Sequence, residues 1–187
     1  MTDFKALLRV LSESGVEFIL VGGVAATVHG STRLTADVDV VYERRRPNLD
    51  RLALALTPYH PYLRGAPPGL PFRWDAQTLE RGLNFALTTD LGALDLLGEI
   101  TGGGRYAELL AHTIMIRVFG VDCRCLTLER LIDVKRAAGR PKGPRGDRRA
   151  RGDTRGTRPA TGRLILTSRR HSSRPPACAP ARSRRSA

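Results

Sequence analysis

The chain has 187 residues, 41% of them apolar and 26% charged, which is enough for one domain with or without a tail. Its formal charge of +13 sits at one end: residues 140–187 hold 15 Lys+Arg and 2 Asp, whereas residues 1–139 hold 16 Lys+Arg and 16 Asp+Glu. A neutral body excludes reading the net charge as the mark of a basic nucleic-acid-binding domain, and only the tail keeps that reading. No apolar run approaches the ~20 residues of a bilayer span, and Met1 leads into Thr2, Asp3 and an amphipathic segment without a basic, then apolar, leader. The expectation is a cytoplasmic protein with no membrane partner. Cys123, Cys125 and Cys178 are an odd count without metal-site spacing, which argues against a disulfide framework and against structural zinc.

Thr2 can cap a first helix, whose apolar residues Phe4, Leu7, Leu8 and Leu11 recur at helical spacing until Gly15. Glu17 to Val21 is a short apolar strand ending at Gly22-Gly23, after which Val24 to His29 forms a short helix closed by Gly30. Beyond a polar loop, Asp37-Val38-Asp39-Val40-Val41 alternates carboxylate with apolar, so a strand points both aspartates to one face. Asn48 can cap a third helix over about 49–56, closed by Pro58. Residues 58–71, with five prolines, read as a loop. Gly82 to Thr88 and Leu91 to Leu97 flank Thr89-Asp90 as a hairpin, and Thr113 to Val118 pairs with Val121 to Leu126 around Phe119-Gly120. Thr127 caps a last helix, Leu128 to Ala138, stopped by Gly139. The sum is an α/β (α+β) fold, a small mixed sheet flanked by helices. After Lys142 the chain turns to Gly, Pro, Arg, Ser and Thr, a composition that buries too little apolar surface to offset chain entropy. The expected division is a domain over 1–142 and a basic, disordered tail over 143–187.

The chemistry lies in two short strings. Gly22-Gly23 after a strand is by itself an ordinary turn as often as a phosphate site, and Asp37/Asp39 by itself can be the wet face of a strand. Yet Asp is depleted in strands, and two carboxylates side by side suit an oxygen-liganded Mg²⁺ better than they suit folding. An Asp inside an apolar run, Asp95 in Gly92-Ala93-Leu94-Asp95-Leu96-Leu97, likewise needs a partner or a metal to offset its desolvation. Asp90 reads as a turn residue and Glu99 as a solvated strand end.

Taken together, the glycine pair closing a strand, a short helix, and Asp-x-Asp 14 residues on resemble the nucleotidyltransferase fold of the DNA polymerase β superfamily. The string from Val21 through His29-Gly30-Ser31-Thr32-Arg33-Leu34-Thr35-Ala36 to Asp39 is similar to its small prokaryotic members, including AbiEii-type toxins of toxin–antitoxin systems, over about residues 5–142. The resemblance implies that Gly22 and Gly23 let the backbone approach a triphosphate and that Asp37 and Asp39 hold Mg²⁺, with Asp95 as the third carboxylate. It implies that Lys135, on the last helix, contacts nucleotide phosphates, and that Arg33 is similar to a basic residue found before the metal motif in relatives. Leu128, Leu131, Ile132 and Lys135 recur at helical spacing, so the lysine is expected to continue the body-facing stripe, either as a phosphate ligand or as a snorkelling stem.

The chain departs from the family after Lys142, where Gly143-Pro144-Arg145-Gly146 replaces an Asp and an acidic, Leu-rich helix. A shift of reading frame after Lys142 explains both the missing carboxylate and the jump in charge. The activity implied is Mg²⁺-dependent transfer of a nucleoside monophosphate from an NTP to an acceptor hydroxyl. The acceptor stays open among a tRNA end, a protein and a small molecule of the aminoglycoside type, and a cognate antitoxin is implied as partner. The alternative is a binder of nucleotide or RNA that has lost turnover with its fourth motif. Arg44-Arg45-Arg46 is either a solvated loop or a phosphate contact, Cys123 and Cys125 pack, His29 ends a helix, and Trp74 belongs to the core.

Overall fold

The computed structural model describes residues 1–67 and 69–139; the expected tail over 143–187, the replaced motif after Lys142 and Cys178 lie outside the described residues. Helix α1 (Phe4–Glu13) buries Leu7, Leu8 and Leu11 completely. At about 25 cal/mol per Å² of apolar surface, each contributes roughly 2–3 kcal/mol to holding the helix on the sheet. Its cap is Asp3, which accepts from the Ala6 N–H at 2.9 Å. Thr2, the expected cap, instead donates to the Ala36 carbonyl at 2.5 Å and accepts from the Ala93 N–H at 3.2 Å. A hydroxyl serves either purpose, and here it ties the entry of α1 to one sheet strand at Ala93 and to the residue just before another at Ala36.

Strand β1 (Phe18–Val21) is buried on both faces. It runs directly into α2 (Gly22–Val28), and His29 follows as its C-cap. Strand β2 (Asp37–Tyr42) precedes α3 (Arg46–Leu56), which starts with Pro47 in its first turn, earlier than expected. Asn48 is therefore no cap. Buried inside α3, it accepts from the Glu17 N–H at 2.8 Å and donates to the carbonyls of Glu17 (3.1 Å) and Glu43 (2.8 Å), riveting the helix to the chain entering β1 and leaving β2.

The proline-rich stretch is not wholly loop. After a 3₁₀ turn (Thr57–Tyr59) it gives a two-residue strand, β3 (Tyr62–Leu63), and a short helix, α4 (Ala76–Arg81), follows it, capped by Asp75 on the Thr78 N–H at 2.8 Å. The hairpin β4 (Asn84–Thr89) with β5 (Gly92–Leu97) leads through α5 (Tyr106–Leu109) and a 3₁₀ turn (Leu110–His112) to a second hairpin, β6 (Thr113–Val118) with β7 (Val121–Leu126). Helix α6 (Leu128–Ala137) is capped by Thr127, and Gly139 adopts φ +58 just past it, as expected from the sequence.

The seven strands form one mixed sheet in the order β3-β4-β5-β2-β1-β7-β6. Pairs β2/β5 and β1/β7 are parallel and the others antiparallel. One face of β4, β5 and β2 is covered: Phe85, Leu87, Leu94, Leu96, Val38 and Val40 are buried. The alternate residues Ala86, Asp95, Asp37 and Asp39 are exposed or half-buried, so this part of the sheet has an open face. Among the described residues, no helix is long and apolar enough to cross a membrane.

Candidate metal centre

The register of two parallel strands builds the site. Asp39 on β2 lies opposite Asp95 on β5, and Asp37 lies opposite Ala93, so all three aspartates emerge on the open face. One carboxylate oxygen from each lies within 4.8 Å of the others. Three charges this close are unfavourable alone and favourable around a cation. The set offers only hard oxygen donors, which suits Mg²⁺ or Mn²⁺. The three oxygens stand close enough to one another to hold a divalent cation between them. The residues present therefore fit a divalent metal.

The glycine pair makes room for this centre. Gly22 has φ +64, and a Cβ built on it would overlap the Asp39 carboxylate; one on Gly23 would overlap the Thr35 side chain. The Gly23 N–H donates to Asp39 Oδ2 at 3.3 Å, and the Thr35 hydroxyl donates to Asp37 Oδ1 at 3.1 Å. The space that the two missing side chains leave is thus filled by residues of the aspartate motif.

A fourth member, which sequence reasoning missed, is Arg64. Its guanidinium donates to Asp95 Oδ1 at 2.5 Å and lies 3.6 Å from Asp37 Oδ2. Its backbone N–H bonds to the Ala86 carbonyl at 2.8 Å, extending the β3–β4 pairing by one residue. The only sequence signal was a basic residue just after Tyr62-Leu63, a run too short to declare a strand.

The structure brings Asp37, Asp39 and Asp95 together with Gly22 and Gly23. Of the other two expected residues, Arg33 lies on the loop where the sequence puts it and Lys135 leaves its expected stripe. Arg33 is exposed on the loop before β2, where it lines a groove of about 610 Å³ with Phe4, Val24, Val28, Thr35 and Phe119. Thr35 joins that groove to the carboxylates. Lys135 does not continue a body-facing stripe: Leu131 is buried and Val134 half-buried, whereas Leu128, Ile132 and Lys135 are exposed. The apolar seam of α6 runs through 131 and 134, at the i, i+3 spacing, and the neighbouring stripe faces solvent.

Other polar residues that the sequence singles out make contacts within the body. Arg44 donates to the Tyr42 hydroxyl at 2.7 Å and the Gly82 carbonyl at 2.7 Å, Arg45 pairs with Glu43 and Glu17, and Arg46 pairs with Asp50 and Glu80. Arg44 thus ties β2 to the end of α4, while Arg45 and Arg46 make surface ion pairs. His29 Nε2 is 2.8 Å from the Leu126 carbonyl, Trp74 donates to the Ala53 carbonyl at 2.9 Å, Asp90 pairs with His60, and Glu99 with Arg105. Cys123 and Cys125 are buried free thiols, which burial pushes up to about 11 and about 12.

No protein-family model matches the chain, and no curated protein matches it. Among solved structures it is similar to the crystal structure of a candidate nucleotidyltransferase from Thermotoga maritima, with 14% sequence identity and a TM-score of 0.47 over 74% of this chain and 88% of that one. At that distance the likeness carries no argument about chemistry, which rests on the side chains described above.

Proposed function

We propose that the chain is a metal-dependent nucleotidyltransferase that moves a nucleoside monophosphate from an NTP to an acceptor hydroxyl, releasing pyrophosphate. The observation that carries this reading is the convergence of Asp37, Asp39 and Asp95 on one open sheet face, with oxygens within 4.8 Å of each other. Asp37, Asp39 and Asp95 would hold Mg²⁺. When bound, such a cation neutralises triphosphate charge and lowers the pKa of the acceptor hydroxyl. The chain's own part is positioning. Asp37 is oriented by the Thr35 hydroxyl, and Asp39 by the Gly23 N–H, so both carboxylates are set before substrate arrives. Asp95, with a side chain 20% exposed, would help hold the cation and would accept the acceptor's proton.

The groove past Thr35 suits a ring-bearing anion: Phe4, Val24, Val28 and Phe119 supply apolar surface, Arg33 and Arg117 supply charge, and none of the described residues that line it is a carboxylate. With the resemblance to AbiEii-type toxins, the proposed acceptor is a tRNA end; a cognate antitoxin as partner and a cytoplasmic setting rest on the sequence reading alone. Lys135 and the Gly22-Gly23 amides are assigned to the β and γ phosphates on the resemblance alone.

The test is incubation of the full chain with each α-labelled NTP, Mg²⁺, total RNA, total protein and a small-molecule extract. Label entering the tRNA fraction, and absent with Asp37→Asn, supports the reading. Label entering protein or small molecules moves the acceptor to that class, and no label in any pool refutes the activity.

A further inference from the structure

Three carboxylates converge on the candidate centre, and the structure supplies one positive charge to them from an unexpected place. Arg64 lies beyond β3, its backbone bonded to Ala86. Ala86 is opposite Asp95, and Asp95 is opposite Asp39. Arg64, Ala86, Asp95 and Asp39 therefore form one row across four neighbouring strands, all on the open face. The arginine side chain reaches the carboxylates across the position of Ala86, which interposes only a methyl group.

We propose that Arg64 is a displaceable counter-cation of the aspartate triad: it neutralises the carboxylates before metal binds, yields to the divalent ion, and is thereby placed to bind the phosphates of the nucleotide. The idea rests on the reading of the site as a nucleotidyltransferase centre. Its physical basis is competition. Arg64 uses Asp95 Oδ1 and approaches Asp37 Oδ2, carboxylates that a metal also requires, and a guanidinium and a divalent ion repel when they share ligands. A part-exposed side chain, 34% accessible, can leave without unfolding the strand that carries it. Because its backbone is fixed one strand from β5, the released guanidinium remains beside the centre. There its planar fork matches phosphate oxygens, which take it bidentately.

The test is Mn²⁺ binding to the full chain by calorimetry and electron paramagnetic resonance, followed by binding of a non-hydrolysable NTP analogue in saturating Mn²⁺. Arg64→Gln is expected to bind Mn²⁺ about two- to fivefold more tightly than the unaltered chain, the order of one part-exposed ion pair removed. It should bind the analogue several-fold more weakly. Ala86→Val is a second variant on the exposed side of β4 that keeps the charge but obstructs its path, and it should also tighten Mn²⁺. Circular dichroism checks that both variants are folded. Unchanged or weaker Mn²⁺ binding in folded Arg64→Gln, or unchanged analogue binding, overturns the proposal. Neither readout requires turnover, so a chain that shows the ion exchange yet transfers no nucleotide sinks the proposed activity and not this one.

Discussion

Replacing Gly22 with Ala probes how the fold and the site were fitted to each other. Two penalties add at this position. The residue sits at φ +64, where an L side chain costs ~1–2 kcal/mol. The new methyl must also displace the Asp39 carboxylate, a local overpacking of ~1–3 kcal/mol. The sum, ~2–5 kcal/mol, is a large part of the ~5–15 kcal/mol that stabilises a typical domain. Urea unfolding followed by circular dichroism measures it: with a slope of ~1–3 kcal/mol per M, the midpoint should fall by roughly 0.7–5 M. A double-mutant cycle separates the terms. In an Asp39→Gly background the overlapping atoms are gone, so only the backbone strain should remain and the coupling should be ~1–3 kcal/mol. An equal cost of Gly22→Ala in both backgrounds would refute the steric argument, and a cost below ~1 kcal/mol would refute the strain as well.

Other consequences follow from the same contacts. Asp39→Asn should melt at the same temperature as the unaltered chain or higher without metal, because it relieves repulsion from Asp37 and Asp95, and Mn²⁺ should no longer raise its melting temperature. Asn48→Ala should cost ~1–3 kcal/mol in chemical denaturation, since it takes the Asn48 partner from the part-buried Glu17 N–H and Glu43 carbonyl. In a Cys178→Ser chain, Cys123 and Cys125 should resist iodoacetamide at pH 8 while folded and react on unfolding. Burial raises both thiols to about 11 and about 12, so the reactive thiolate is scarce below those values.

Long patterned segments were readable from the sequence. The β6–β7 hairpin falls on the expected residues, and Thr127 and Gly139 bound α6 as their cap chemistry requires. Asp95 was found because a carboxylate in an apolar run is costly unless something answers it, and the register with Asp39 shows what it faces. What escaped notice depends on partners distant in sequence. Asn48 has the chemistry of a cap and of a buried bridge, and only the meeting of Glu17 with Glu43 decides between them. Strand β3 has two residues, too few for any period, so Arg64 looked like part of a proline-rich loop although it touches the site. On α6 two adjacent stripes contain apolar residues, and tertiary packing selects the one through Leu131 and Val134 over the one that ends at Lys135.

The central claim, that the aspartate triad serves nucleotidyl rather than phosphoryl transfer, is tested most directly by following one NTP labelled at the α phosphorus and, in parallel, at the γ phosphorus, with Mg²⁺ and the acceptor fraction. The account predicts that α label enters the acceptor while γ label leaves as pyrophosphate, and that Asp37→Asn and Asp39→Asn abolish both. Entry of γ label into the acceptor, or transfer that survives loss of either aspartate, would contradict it.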